Sequence, residues 1–323
     1  MSVPKSAVSK GVQPPDKLLY SFVISRHGQR TSILCCKNLP KNVPEDHGQL
    51  TKAGHEQTFK LGLFLRSRYQ GFLEADKPGQ LLATHAHLDR CRESLAETIR
   101  GLGIPGSPEV DPTRYDLLFH ASLIENFDAL QREPGPGKFM TIGNLLSFVI
   151  EKTEAPSRDK REKFLAMDSL TTYVNTGNPI PSWAQPYWDD FIWADHKIFG
   201  LALSGHELWY AGNVLRRVLE TLSLKFEEGV RRPDKIHLFS MSDSSLYSVL
   251  KLFSQTYGDH PSFGCSVLIE VFEDTSKKYV QILTLADDDP RFSLLDSLKN
   301  PCELKDFLNF LRGVLKDDKG VPC

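Results

Sequence analysis

Long apolar runs are missing from this chain. No stretch approaches the ~20 residues that a membrane-crossing helix needs, and Met1 to Lys17 holds no apolar segment of the signal-peptide kind. Charge of one sign is missing as well. A net charge of −2 over 323 residues leaves no footprint for nucleic acid or for a general membrane surface. Cysteine is sparse: Cys35, Cys36, Cys91, Cys265, Cys302 and Cys323 form no C-x-x-C pair and no metal-ligand spacing. Their even number permits disulfides without fixing a pairing, although the adjacent Cys35 and Cys36 are poorly placed to bond each other. There is no Asn-x-Ser/Thr sequon, no internal repeat and no low-complexity tract. What remains is the composition of an ordinary globular protein, 40% hydrophobic and 25% charged, large enough for one big domain or two moderate ones. It is either intracellular or a mature secreted form behind an added Met.

What is there starts at residue 18. The apolar run Leu18 to Ile24 predicts a strand, and it leads into Arg26-His27-Gly28-Gln29-Arg30. An arginine is an always-charged fork of donors matched to phosphate or carboxylate oxygens. Two of them around one imidazole favour its neutral, nucleophilic form. Gly28 is expected to let the backbone approach a ligand. The cluster reads as a histidine nucleophile in an anion cradle.

The rest alternates. Residues 1–16 form a polar, proline-containing lead-in. Thr51 suits the N-cap of a helix running to Tyr69, Gln80 to Thr84 is a short strand, and a helix follows from Arg92 to Leu102. Residues 106–200 are expected to be a helical cap insertion, with helices at 139–152, 160–174 and 188–199. A long helix over 205–228 returns to the core. Then come a strand at 235–240, a helix from Ser244 to Phe253 capped by Ser242-Asp243, a hairpin of 266–272 with 279–285, and a final helix over 303–315. This pattern predicts an α/β fold: a three-layer α/β/α core of residues 17–105 and 201–323, with a smaller helical cap. Arg26-His27, Arg90 and Ser242-Asp243 each follow a predicted strand, where ligands of such sheets bind.

These segments together resemble the histidine acid phosphatases of the histidine phosphatase superfamily. Arg26-His27-Gly28-Gln29-Arg30 is similar to the family's R-H-G-x-R signature. Gly48-Gln49-Leu50-Thr51 with Gly54 resembles its G-Q-L-T-x-x-G segment, Leu88-Asp89-Arg90 the end of R-S-T-D-V-D-R, and Phe239-Ser240-Met241-Ser242-Asp243-Ser244 its Y-S-A-H-D-T segment. Cys265 and Pro301-Cys302 fall where vertebrate relatives carry cysteines. The resemblance implies that His27 attacks phosphorus, that Arg26, Arg30 and Arg90 hold the phosphate, that Asp243 handles the proton, and that neither metal nor cofactor is required.

Three departures matter. Ser242 stands where the family has a histidine, Thr84 and His85 replace the first arginine and serine of the R-S-T-D segment, and Ser32 replaces a common proline. Losing one preorganised donor costs on the order of 10²–10³ in rate. The expected function is therefore a secreted small-molecule binder with little or no phosphatase activity, similar to the catalytically impaired acid-phosphatase-like proteins in the saliva of blood-feeding insects. Its ligand would be a leukotriene-like lipid or a biogenic amine, with an anion ranked first for the arginine cluster. The alternative is a weakened acid phosphatase working through a phosphohistidine at His27. Oligomeric state stays open.

A rival metal reading has less support. Thr84-His85-Ala86-His87-Leu88-Asp89 is similar to the T-H-x-H-x-D core of the metallo-β-lactamases. That motif needs a histidine where Arg90 stands, and His120, His196 and His206 lack matching context. His85 is better read as packing under the sheet and His87 as lining the cleft, or the reverse. Trp183, Trp188, Trp193 and Trp209 read as core, and Asp287-Asp288-Asp289 as a solvated loop.

Overall fold

The computed structural model describes residues 12–39, 47–75, 77–286, 289–293 and 295–317. In chain order the elements are β1 (Leu18–Arg26), α1 (Lys52–Arg68), β2 (Leu81–Ala86), α2 (Asp89–Leu102), β3 (Pro108–Asp111), α3 (Tyr115–Arg132), α4 (Ile142–Thr153), α5 (Lys160–Asn175), α6 (Trp188–Leu203), α7 (Glu207–Leu222), β4 (Ile236–Met241), α8 (Asp243–Phe253), β5 (Ser266–Asp274), β6 (Lys277–Ala286), β7 (Asp289–Phe292), β8 (Cys302–Glu303) and α9 (Leu304–Val314).

The strands form one mixed sheet in the order β3-β2-β4-β1-β5-β6-β7, with β8 also pairing β6. β3, β2, β4 and β1 run parallel, and β5 to β8 add on antiparallel. The α/β fold expected from the sequence is the observed one. Because β1, β2 and β4 are parallel, their carboxyl ends share one edge. His27 N–H donates to the Met241 carbonyl at 3.1 Å, which ties the ends of β1 and β4 together.

Alternation along the strands splits the core in two. Tyr20, Phe22 and Ile24 of β1 join a large cluster that includes buried residues of α3 to α9. Val23, with Ile236 and Leu238 of β4, joins a smaller one with Leu61 and Leu65 of α1 and Leu95 of α2. Period-two side chains on a buried strand feed both layers at once.

Two elements depart from expectation. Pro108–Asp111, placed by sequence in the helical insertion, is the edge strand of the sheet, paired with β2 alone. The helix α3 carries no expectation at all. The long helix expected over 205–228 is α-helical only to Leu222 and continues as a π-helical turn over Ser223–Glu227. Trp193, expected in the core, is exposed. No disulfide joins Cys35, Cys36, Cys91, Cys265 and Cys302. Cys323, Asp287 and Asp288 lie outside the described residues.

Candidate active site

The loop after β1 is locked to the start of α1 by two glycines. A Cβ on Gly28 would sit 2.3 Å from the Gly54 carbonyl oxygen, and one on Gly54 would sit 2.1 Å from that of Gln29. Both are far below any tolerable contact, so both positions require glycine. Gly28 therefore serves the close packing of loop on helix. Thr51 caps α1 by accepting from Gly54 N–H at 3.1 Å, and its own N–H donates to the Gln29 carbonyl. The separated segments Arg26–Arg30 and Gly48–Gly54 are one structural unit.

This unit aims His27. The side chain is fully buried. Its Nδ1 lies 2.8 Å from the Gly28 carbonyl, which only accepts, so Nδ1 carries the proton. Nε2 then holds the lone pair, and Arg90 Nε donates to it at 3.1 Å. Burial, then the charges of Arg90 and Arg26, hold the His27 pKa well below the usual histidine value. The ring is neutral, with its nucleophilic nitrogen turned towards a guanidinium.

Arg26 and Arg30 are not the unpaired charges that the sequence suggests. Arg26 donates to Asp243 Oδ2 at 2.9 Å and to the Pro261 carbonyl, and its guanidinium stacks on Phe263 at 4.1 Å. Arg30 donates to Asp168 Oδ1 on α5 at 2.8 Å. Both side chains are almost wholly buried, yet the Nε of each, together with Asp168 Oδ2, has no partner among the described residues. Arg90 makes no ion pair among those residues. The cluster is thus two buried ion pairs plus one arginine on the imidazole.

Asp243 opens α8, where the helix dipole favours a carboxylate. Burial alone would raise its pKa, but Arg26 and then His260 hold it well below the usual carboxylate value. Ser242, a candidate ligand-binding residue where the family has a histidine, lines the cavity and is also engaged locally. Its hydroxyl caps α8, accepting weakly from Ser245 N–H, and lies 2.7 Å from the Ser244 hydroxyl.

Arg30, Arg90, Ser242 and Asp243 line one cavity with Tyr115 and Phe119 of α3, Asp168 of α5, Asp195 and Phe199 of α6, and His260. Its water-accessible volume is about 90 Å³. Asp168, Asp195, Phe263 and His260 were missed by sequence reasoning. Asp168 left one signal, a carboxylate on the apolar face of an amphipathic helix; the others left none. Of the rival metal motif, His87 pairs with Asp116 at 2.9 Å and His85 bonds the Ala86 carbonyl. Neither lines the cavity. Among the described residues no three His, Cys, Asp or Glu side chains converge as a metal site would need.

Comparison with known proteins finds acid phosphatases. The chain is 26% identical to the testicular acid phosphatase of Mus musculus, with 96% of this chain and 83% of that protein aligned. It is 22% identical to the lysosomal acid phosphatase of Bos taurus (95% and 80%) and 22% identical to the venom acid phosphatase Acph-1 of Apis mellifera (93% and 86%). The chain is similar to these acid phosphatases, in keeping with its resemblance to the histidine acid phosphatase family. No protein-family model matches it. Its fold is shared with solved phytases of that family: the Hafnia alvei enzyme in complex with myo-inositol hexakis sulphate superposes with a TM-score of 0.68 at 14% identity, covering 95% of this chain and 99% of that one. The Arg26–Arg30 loop, which resembles that family's signature, brings Arg26, His27 and Arg30 into one buried cluster.

Proposed function

We propose that this protein is a secreted phosphomonoester hydrolase of low turnover, working through a phosphohistidine at His27. The observation that carries the reading is the state of His27: neutral, its tautomer set by Gly28, its Nε2 lone pair facing Arg90. A phosphate entering the cavity takes over the Arg90 guanidinium and leaves Nε2 free to attack. Arg30 and Arg90 hold its oxygens, and Arg26 holds Asp243 in place. The helices α3 to α6 act as the cap that excludes water.

The proton count closes at acid pH. A phosphomonoester there is a monoanion, since its second pKa is about 6. Its proton reaches the leaving oxygen by way of Asp243. As the P–Nε2 bond forms, the ester P–O bond breaks and the alcohol departs. Water then attacks the phosphohistidine as the P–N bond breaks; Asp243 takes a proton from the water and passes it to the departing phosphate, which leaves as the monoanion with His27 and Asp243 restored. The depressed pKa of Asp243 disfavours it as a proton donor, which is in keeping with the low turnover proposed.

Specific contacts favour a second reading, a secreted binder of small molecules without turnover. Ser242 is committed to its cap, and Asp168 already sits on Arg30 where a phosphate oxygen would bind. The cavity volume, about 90 Å³, is well under the roughly 300–1,000 Å³ of drug-sized ligand pockets. That suits a phosphate group or a small amine, which would pair with a carboxylate such as Asp168, and disfavours a leukotriene-like lipid. Hydrolysis of p-nitrophenyl phosphate across acid pH separates the two. Slow hydrolysis abolished in His27→Ala supports the enzyme; rates equal in wild type and His27→Ala leave only the binder.

A further inference from the structure

The position that Ser242 occupies supplies no cationic donor, and a different imidazole stands beside it. His260 lies in the loop between α8 and β5, on the wall of the same cavity as Arg90, Ser242 and Asp243. Its ring is stacked on Phe199 with centroids 4.0 Å apart and planes 10° from parallel. Its Nδ1 donates to Asp195 Oδ2 at 2.8 Å, and its backbone N–H donates to His196 Nδ1. A ring held by stacking, by a carboxylate and by its own backbone is a preorganised donor. Its other nitrogen, Nε2, is buried and has no hydrogen-bond partner among the described residues. The nearest acceptor, Asp243 Oδ2, is 3.6 Å away, too far for a good hydrogen bond.

We infer that His260 is a ligand of the transferring phosphate, donating from Nε2 to a non-bridging oxygen and so supplying, from a separate loop, the imidazolium that Ser242 does not. This rests on the proposed reading of the cavity as a phosphate site.

The surroundings favour the charged ring. Asp195 and His196 face it from α6, Asp243 from α8, Arg26 from β1, and Asp259 lies next to it in the chain. Burial pulls the His260 pKa down, but the charge and hydrogen bond of Asp195, with the nearby Asp243 carboxylate, outweigh it, and the net shift is upward. Asp195 shifts the opposite way, as a true partner should. With Arg26 paired to Asp243 and Arg30 to Asp168, Arg90 and His260 Nε2 are cationic donors on the cavity wall whose charge is not taken up by a close ion pair of this kind, His260 Nε2 standing 3.6 Å from Asp243. His260 keeps its proton throughout; it stabilises the charge on the phosphoryl oxygens and transfers nothing.

The test uses p-nitrophenyl phosphate turnover and calorimetric binding of inorganic phosphate at about pH 5, on the whole chain. The variants are His260→Gln, Ser242→His and the double variant, with near-UV circular dichroism to check packing. His260→Gln should lower kcat/KM about 10²-fold and weaken phosphate binding at least tenfold. Ser242→His alone should gain less than tenfold, because the donor is already present, whereas in the His260→Gln background it should restore most of the loss. A merely structural histidine would not be rescued from position 242. His260→Gln with wild-type turnover and phosphate affinity overturns the inference. So does a gain of 10²-fold or more from Ser242→His alone, which stands even if His260→Gln does not fold. A wild type that neither binds phosphate nor turns over overturns the proposed function first, and this inference with it.

Discussion

Arg90 Nε lies 3.1 Å from His27 Nε2, so under the proposed function one side chain both guards the nucleophile and stands where its substrate would bind. A cation on the lone pair penalises protonation, and a phosphate between the two residues satisfies both. Replacing Arg90 by Ala removes each effect. The His27 pKa should rise yet stay below that of a free histidine, because burial is the larger cause. Phosphate affinity and kcat/KM should fall together, by on the order of 10²–10³. Histidine NMR titration and steady-state kinetics check the two halves separately.

Asp168 pairs with Arg30 at 2.8 Å, and under the proposed function it competes with phosphate for that guanidinium. Asp168→Asn keeps the shape and removes the charge, so phosphate should bind about tenfold more tightly. The same change strands a buried guanidinium, at a cost of about 3–5 kcal/mol. A lower melting temperature that added phosphate largely restores is the expected signature in thermal denaturation.

The glycine lock is tested by stability alone. Gly54→Ala puts a methyl group against the Gln29 carbonyl and should cost at least about 2 kcal/mol. Gly313, inside α9 with nothing near its Cβ position, is the control. Gly313→Ala should be neutral or stabilise by up to about 1 kcal/mol. Urea denaturation of both variants reads the difference.

The balance of histidines predicts how stability follows pH. His27 is buried neutral, and His237, under burial and the charge of Arg217, is lowered to about 3. Both take up protons more readily unfolded than folded. Their contribution is therefore present above pH ~6.5 and lost as pH falls, by up to about 1.4 kcal/mol per unit per site. His260 is raised, so its contribution is present below pH ~6.5 and lost as pH rises through its folded pKa. Asp243 adds a loss only below pH ~3.8. Below pH ~6.5 the His260 contribution is constant while those of His27 and His237 are being lost, so stability should decline from pH 6 to 4. His237→Gln should flatten that decline in pH-dependent thermal melts.

The sheet and the signature loop were legible in the sequence because each rests on local chemistry. An apolar run before Arg26 reads as a strand, and Thr51 three residues before Gly54 reads as a helix start. The fold resemblance then placed Arg90 and Asp243 beside His27. The edge strand β3 escaped because three of its four residues are exposed and it pairs on one side only, so it shows neither alternation nor an apolar run. The paired state of the arginines escaped for another reason. Asp168 reaches Arg30 across 138 residues of chain, and His260 lies in a polar loop without a motif. Counting cations without their partners made the cleft look more positive than it is.

The most direct test of the account is whether phosphorus becomes bonded to His27. The protein would be mixed with a fast-leaving aryl phosphate at about pH 5, quenched in alkali, where phosphohistidine survives, and digested for mass spectrometry. A phosphoryl group on the peptide containing His27, absent from His27→Ala and diminished in Arg90→Ala, is the predicted result. An unmodified His27 peptide from protein that still releases phosphate at the wild-type rate would contradict it.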